Sequence, residues 1–226
     1  MTKKIICACA AFLLLQVAAN AKSANLSKST QAVLSTKHVI EQLEKWDDNL
    51  SSLKAEFRQT VYFRDAGLEK KLSGKIWYKK PDYLKIIHTN KPRQEFVTDK
   101  ETLWIYKPAE KQVIKAKWKK WLKTQNNKFS GILDFGNYST ILENNEIEMS
   151  TGTRKIVLTL KSKKNANLYT LKLFLSAEDF FPQSALLKVK DTEIKTELFE
   201  TVKNVKIKDK VFRFKPPKNC ELIELK

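Results

Sequence analysis

The chain has 226 residues, with 43 Lys and Arg against 25 Asp and Glu, a net charge of +18, and only 5 Gly, 3 Cys and 2 His. That length suffices for one well-packed domain, and the few Gly with no Gly/Ser or Pro-rich tract argue against an internal linker. The charge favours anionic partners such as nucleic acid, phospholipid headgroups or acidic proteins, while so few His and Cys signal neither a zinc site nor a His-based triad.

Lys3 and Lys4, the apolar run Ile5 to Ala19 and the small residues Ala19-Asn20-Ala21 have the three-part layout of a secretory leader. The run is shorter than the roughly 20 residues a spanning helix needs. We therefore expect removal of residues 1–21, leaving 22–226 as a single exported domain. Cys7 and Cys9 leave with the leader, so Cys220 stands alone and no internal disulfide forms. Loss of Lys3 and Lys4 leaves about +16, so the cationic character belongs to the exported part. Export also argues against a chromosomal or ribosomal role.

Val39, Leu43, Trp46, Leu50 and Leu53 recur at helical spacing and predict a first helix with one buried stripe. From Leu53 the period changes to two. Leu53, Ala55, Phe57, Gln59, Val61 and Phe63 share one face, and a turn at Asp65-Ala66-Gly67 leads to a second run. That run, Leu72 to Tyr106, is broken at Pro81, Pro92 and Asp99-Lys100 and predicts consecutive antiparallel strands. Gln112 to Lys117 forms another, followed by the cationic patch Lys115, Lys117, Trp118, Lys119, Lys120, Trp121 and Lys123. Nucleic acid, anionic membrane, an acidic partner and plain solvation all remain open for that patch.

Alternation stops between Asn126 and Ile141, where Phe129, Ile132, Leu133 and Phe135 suggest a short helix or apolar loop ending near Gly136. It resumes from Glu146 through Ile207, with a last short segment at Val211 to Phe214; Glu221 to Leu225 trails off. About eleven strands after one helix predict a mainly β fold with helices, an antiparallel barrel or strongly curved half-barrel. Asp47-Asp48, and Glu146 with Glu148, read as solvated surface, and Cys220 as a stray thiol. No phosphate loop, nucleophile elbow or Cys pair is present, so the chain is not expected to be an enzyme.

The ordered set Phe57 and Gln59, Gly74-Lys75-Ile76-Trp77-Tyr78-Lys79-Lys80-Pro81, Val97-Thr98-Asp99, Leu103-Trp104-Ile105-Tyr106-Lys107-Pro108 and Phe212-Arg213-Phe214-Lys215-Pro216-Pro217 resembles the periplasmic outer-membrane lipoprotein carrier family, LolA. The match is densest from Leu50 to Gln112. The resemblance implies an unclosed antiparallel barrel whose helical lid shelters the acyl chains of lipoproteins, with no cofactor and no metal. It implies a periplasmic monomer with three kinds of partner: acylated lipoproteins, an inner-membrane exporter complex, and an outer-membrane receptor or surface. Nucleic acid is not expected. A non-ferrying lipoprotein-binding acceptor or sensor, and a cationic exported surface-binding β protein, are the alternatives.

On this reading the acyl cavity is lined by Phe57, Ile76, Tyr78, Leu84, Ile86, Phe96, Trp104, Tyr106, Leu171 and Leu173. Phe129, Ile132 and Leu133 belong to the lid, and Lys80 is its latch. Alternation alone does not decide whether Trp104 and Tyr106, or Leu103 and Ile105, face inward; the first pair is placed on the cavity side. Many family members carry Arg where this chain has Lys80, which keeps the charge without the planar five-donor fork. Leu84 and Ile86 stand where the family tends to be aromatic.

Overall fold

The helical stripe is realised in α1 (Thr36–Asn49), whose N-terminus is capped by the Ser35 side chain accepting from the His38 N–H at 3.2 Å. Val39 and Leu43 are fully buried, and Leu50 closes the helix. Leu53 falls in the next element rather than on the helix. The computed structural model describes residues 34–124, 135–152 and 155–225. The expected leader and the lid residues Phe129, Ile132 and Leu133 lie outside the described residues.

Among the described residues twelve strands follow in one sheet, one more than the alternation predicts. The first six are β1 (Ser52–Phe63), β2 (Leu68–Lys79), β3 (Tyr83–His88), β4 (Glu95–Asp99), β5 (Thr102–Lys107) and β6 (Gln112–Lys117). After α2 (Trp118–Thr124) and α3 (Tyr138–Glu143) come β7 (Asn145–Gly152), β8 (Lys155–Ser162), β9 (Thr170–Ser176), β10 (Pro182–Val189), β11 (Thr192–Lys203) and β12 (Glu221–Leu225). The order across the sheet is β12-β6-β5-β4-β3-β2-β1-β11-β10-β9-β8-β7, so β12 and β7 are its two edges among the described residues and the barrel is unclosed. All pairs in that order are antiparallel except β12 with β6.

Two expectations are corrected at the C-terminus. Val211 to Phe214 is not a strand: Asp209–Phe212 forms a 3-10 turn that buries Phe212. Glu221 to Leu225, expected to trail off, is β12, in register from Glu221 opposite Gln112 to Leu225 opposite Ala116. An ion pair from Lys115 to Glu224 at 2.9 Å accompanies that pairing. Sequence periodicity cannot anticipate a parallel edge strand brought in by a chain excursion over the sheet.

Register divides the sheet into two faces, since directly opposed residues point the same way. Pairings Leu53/Tyr78, Ala55/Ile76, Ile76/Ile86 and Ile86/Phe96 carry one apolar face from β1 to β4. Pairings Phe57/Leu198, Thr196/Ala185, Ala185/Leu173 and Leu173/Leu158 carry the same face from β1 to β8. α1 and α3 cover this inner face: Val39, Leu43, Tyr138, Ile141 and Leu142 join its buried cluster. The opposite face has its own aromatic cover, with Tyr83 against Phe212 at 5.3 Å and Trp104 and Tyr106 against Phe214 at 5.6 and 5.9 Å.

Candidate functional site

The candidate site is the inner apolar face. Phe57, Ile76, Tyr78, Ile86, Leu171 and Leu173 are all buried in one cluster there, with Leu84 and Phe96 packed against it. Leu158, Leu160 and Leu175 belong to the same cluster and were not among the expected lining residues.

The placement of Trp104 and Tyr106 is corrected. Trp104 stands opposite Val97, which stands opposite Lys85, which stands opposite Trp77, so the whole row projects away from Ile76. Phe214 covers both aromatic rings there, and Lys115 lies 5.6 Å from the Trp104 ring. Leu103 and Ile105 take the inner positions instead. Hairpin arithmetic held the signal: a two-residue connection, Lys100-Glu101, between β4 and β5 pairs Thr98 with Leu103 and thereby sends Leu103 to the side of Leu84.

Gly74 sets how closely the inner face can assemble. A Cβ at that position would lie 2.1 Å from the Ile87 carbonyl and 2.6 Å from the Phe57 ring. Without it, Phe57 lies over β2 and meets the His88 ring edge-on at 5.9 Å, while His88 also tilts against Phe96 at 5.5 Å. His88 is paired with Gly74 and therefore faces inward. Burial among these rings, with a smaller effect from the Lys70 charge, holds its pKa below the ordinary 6.5. At neutral pH it is an uncharged member of an apolar surface.

The helices are fastened to the sheet by polar contacts clustered at the end of α1. Asp47 is not solvated surface, as the sequence suggested. Its carboxylate accepts from the Tyr138 N–H at 2.6 Å, the Ser139 N–H at 2.7 Å and the Ser139 hydroxyl at 2.5 Å. It thereby caps α3 from 91 residues away. The Asp47 backbone carbonyl in turn accepts from Lys80 Nζ, whose Asp48 ion pair, at 4.0 Å with Asp48 almost fully exposed, adds little. Trp46 Nε1 donates to the Asp179 carbonyl at 2.9 Å, and Lys203 pairs with the Asp179 carboxylate beneath the Trp46 and Phe181 rings. Burial alone would raise the Asp179 pKa. The Lys203 bond and charge, with the Phe181 N–H and Ser176 hydroxyl, outweigh that and hold it below 3.8.

The predicted cationic patch straddles the end of β6 and α2. Trp118 and Trp121 stack at 5.6 Å with rings 18° apart, and Trp118 packs on Leu103 and Ala116 of the inner face. Lys117, Lys119 and Lys120 are exposed beside them. Trp118 thus belongs to the interior, with the half-buried Trp121 stacked on it, and Lys117, Lys119 and Lys120 to solvent. Cys220 is a half-buried free thiol.

An unclosed β-sheet wrapped on an apolar face and bridged by helices defines the open-barrel class of β protein. A family model described as "Outer membrane lipoprotein carrier protein LolA" matches residues 48–215, and the chain belongs to that family. It is 24% identical over 182 residues to an outer-membrane lipoprotein carrier protein of Pasteurella multocida, covering 80% of this chain and 84% of that one. It is 26% identical over 180 residues to the corresponding carrier of Serratia proteamaculans, covering 76% and 81%. Among solved structures, an uncharacterized conserved protein from Thermus thermophilus shares the fold, with a TM-score of 0.53 at 11% identity over 84% of this chain and 98% of that one. Among the described residues no helix is long and apolar enough to cross a membrane.

Proposed function

We propose that this protein is a periplasmic carrier that holds the acyl chains of lipoproteins against its inner face during transfer between membranes. The observation that supports this most is the uneven burial of that face. Under α1 and α3 its core residues are fully buried, whereas toward β6 Leu84, Phe96, Ile105 and Ile114 are only half-buried, interleaved with the buried Thr98, Leu103 and Ala116. Bringing three chains of about fifteen methylenes each into water costs on the order of 36 kcal/mol, at about 0.8 kcal/mol per methylene. A carrier must recover most of that from apolar lining and still release its load, so its cover has to be held by a few breakable polar contacts. Lys80 on the Asp47 carbonyl and Asp47 on the α3 N-terminus are contacts of that kind, and we assign Lys80 the role of latch. The protein acts by binding rather than catalysis, taking acylated lipoproteins from an inner-membrane exporter and passing them to an outer-membrane receptor or surface. The relatives' designation as lipoprotein carriers supports the same reading.

Native mass spectrometry of the protein isolated from the periplasm tests this. Bound lipid or lipoprotein is the expected result, together with uptake of a fluorescent fatty acid by the stripped protein. A lipid-free protein that takes up no acyl probe but binds polyanions with a steep salt dependence overturns it in favour of a cationic surface-binding role.

A further inference from the structure

A buried tryptophan usually finds an acceptor for its indole N–H. Trp118 does not: its Nε1 is buried with no hydrogen-bond partner among the described residues, and the residue is only 8% exposed. It opens α2 directly after β6, and its backbone N–H donates to the Glu101 carbonyl at 2.8 Å, which fixes where the ring enters. The ring packs on Leu103 and Ala116, with Leu84 and Ile105 beside them, and stacks on Trp121. Leu84 also packs against the main inner cluster, so the tryptophan stands at one end of the same apolar face. A donor left unsatisfied in such surroundings carries a desolvation penalty that an apolar side chain would avoid.

The apolar neighbours supply bulk and no acceptor, and a ligand that fits an apolar surface and carries a carbonyl would satisfy the indole N–H. An acyl chain offers one kind of polar group only, the carbonyl of the ester or amide that joins it to its headgroup. A free carboxylate is a poorer match, because burying its charge beside a neutral donor is costly while the exposed Lys117, Lys119 and Lys120 stand next to the site. We propose that Trp118 Nε1 donates to an ester or amide carbonyl of the bound acylated headgroup and so fixes how deeply the chains enter. This subsite rests on the carrier reading above and adds to it a preference for the linkage rather than for the chain.

The test compares a fluorescent diacylglycerol lipid having ester-linked chains with its ether-linked counterpart of the same length, which lacks the carbonyls. The wild-type protein should bind the ester about five- to tenfold more tightly, the worth of one buried hydrogen bond. Trp118→Phe should bind both at the ether's level. Equal binding of ester and ether by the wild type, or a preference that survives in Trp118→Phe, overturns the subsite and leaves the carrier reading standing. Failure of the wild type to bind either lipid overturns both. Should the variant fold poorly, the indole N–H resonance of Trp118 in 15N-labelled wild type decides the matter. A downfield move with the ester and not with the ether supports the hydrogen bond, and identical responses to the two lipids refute it.

Discussion

Replacing Asp47 with Ala removes three acceptor contacts at once, those to the Tyr138 N–H, the Ser139 N–H and the Ser139 hydroxyl. Hydrogen bonds to a charged group are worth about 1.5–3 kcal/mol each when partners are buried, and loss of a helix cap costs about 0.5–2 kcal/mol. The three share one carboxylate and are not additive, and Ser139 is half-buried, so water replaces part of the loss. A net cost of about 2–3 kcal/mol follows, confined to the attachment of α3. Because 1.4 kcal/mol is a factor of ten, amide exchange at Tyr138, Ser139 and Leu142 should accelerate roughly 30- to 150-fold. Amides of Leu158 and Leu173, on strands that α3 does not hold in register, should keep their protection. Asp47→Asn retains one oxygen acceptor and should fall between. Hydrogen exchange followed by mass spectrometry or NMR reads this directly. Unchanged exchange at Tyr138 and Ser139 in Asp47→Ala refutes the claim that this carboxylate fastens the cover.

The remaining predictions concern the face itself. Gly74→Ala forces the β2–β3 pair apart or turns Phe57 out of place, an overpacking cost of about 1–3 kcal/mol. Thermal unfolding should drop by about 5 °C, and an unchanged midpoint would show that the close approach is not needed. Lys80→Leu removes the donor to the Asp47 carbonyl with little loss of fold, and should alter the rate of acyl-probe uptake and release; identical kinetics would rule Lys80 out as the latch. His88, held below its ordinary pKa by burial and then by Lys70, binds fewer protons folded than unfolded. Its contribution is therefore full above pH 6.5 and lost as pH falls through the folded value. Denaturant unfolding of His88→Leu should lack that part of the pH dependence, and parallel profiles for variant and wild type would contradict it.

Much of the sheet was legible because alternation is local. Leu53, Ala55 and Phe57 reveal one face of β1 with no knowledge of their partners, and the α1 stripe of Val39, Leu43 and Trp46 does the same at helical period. What stayed hidden depends on contacts distant in sequence. Nothing near Asp47 marks it as the cap of a helix that begins 91 residues later, so a solvated carboxylate was the natural reading. Trp104 and Tyr106 look like lining because they are large and apolar, but Phe214 arrives to cover the outer face. For an aromatic on a strand, hydrophobicity alone does not say which side is inside when both sides are covered.

That double cover bears on which surface is free for cargo. The outer aromatics are already packed against Phe212 and Phe214, with Val97 and Val113 fully buried among their strands. The inner face divides differently along its length. Around β1, β8 and β9, Leu53, Leu158, Leu160 and Leu173 are essentially inaccessible and must supply the stability of the fold, since removing any one would leave a cavity costing about 2–5 kcal/mol. Toward β6, Leu84, Phe96, Ile105 and Ile114 are half-buried, and the Trp118 indole N–H is left without an acceptor among the described residues. A surface that had to both hold the fold together and take up cargo would lose stability at each release. On the carrier reading proposed above, uptake at those half-buried positions leaves the packing around β1, β8 and β9 in place, while Leu103 and Ala116, buried between them, still belong to the stability of that end.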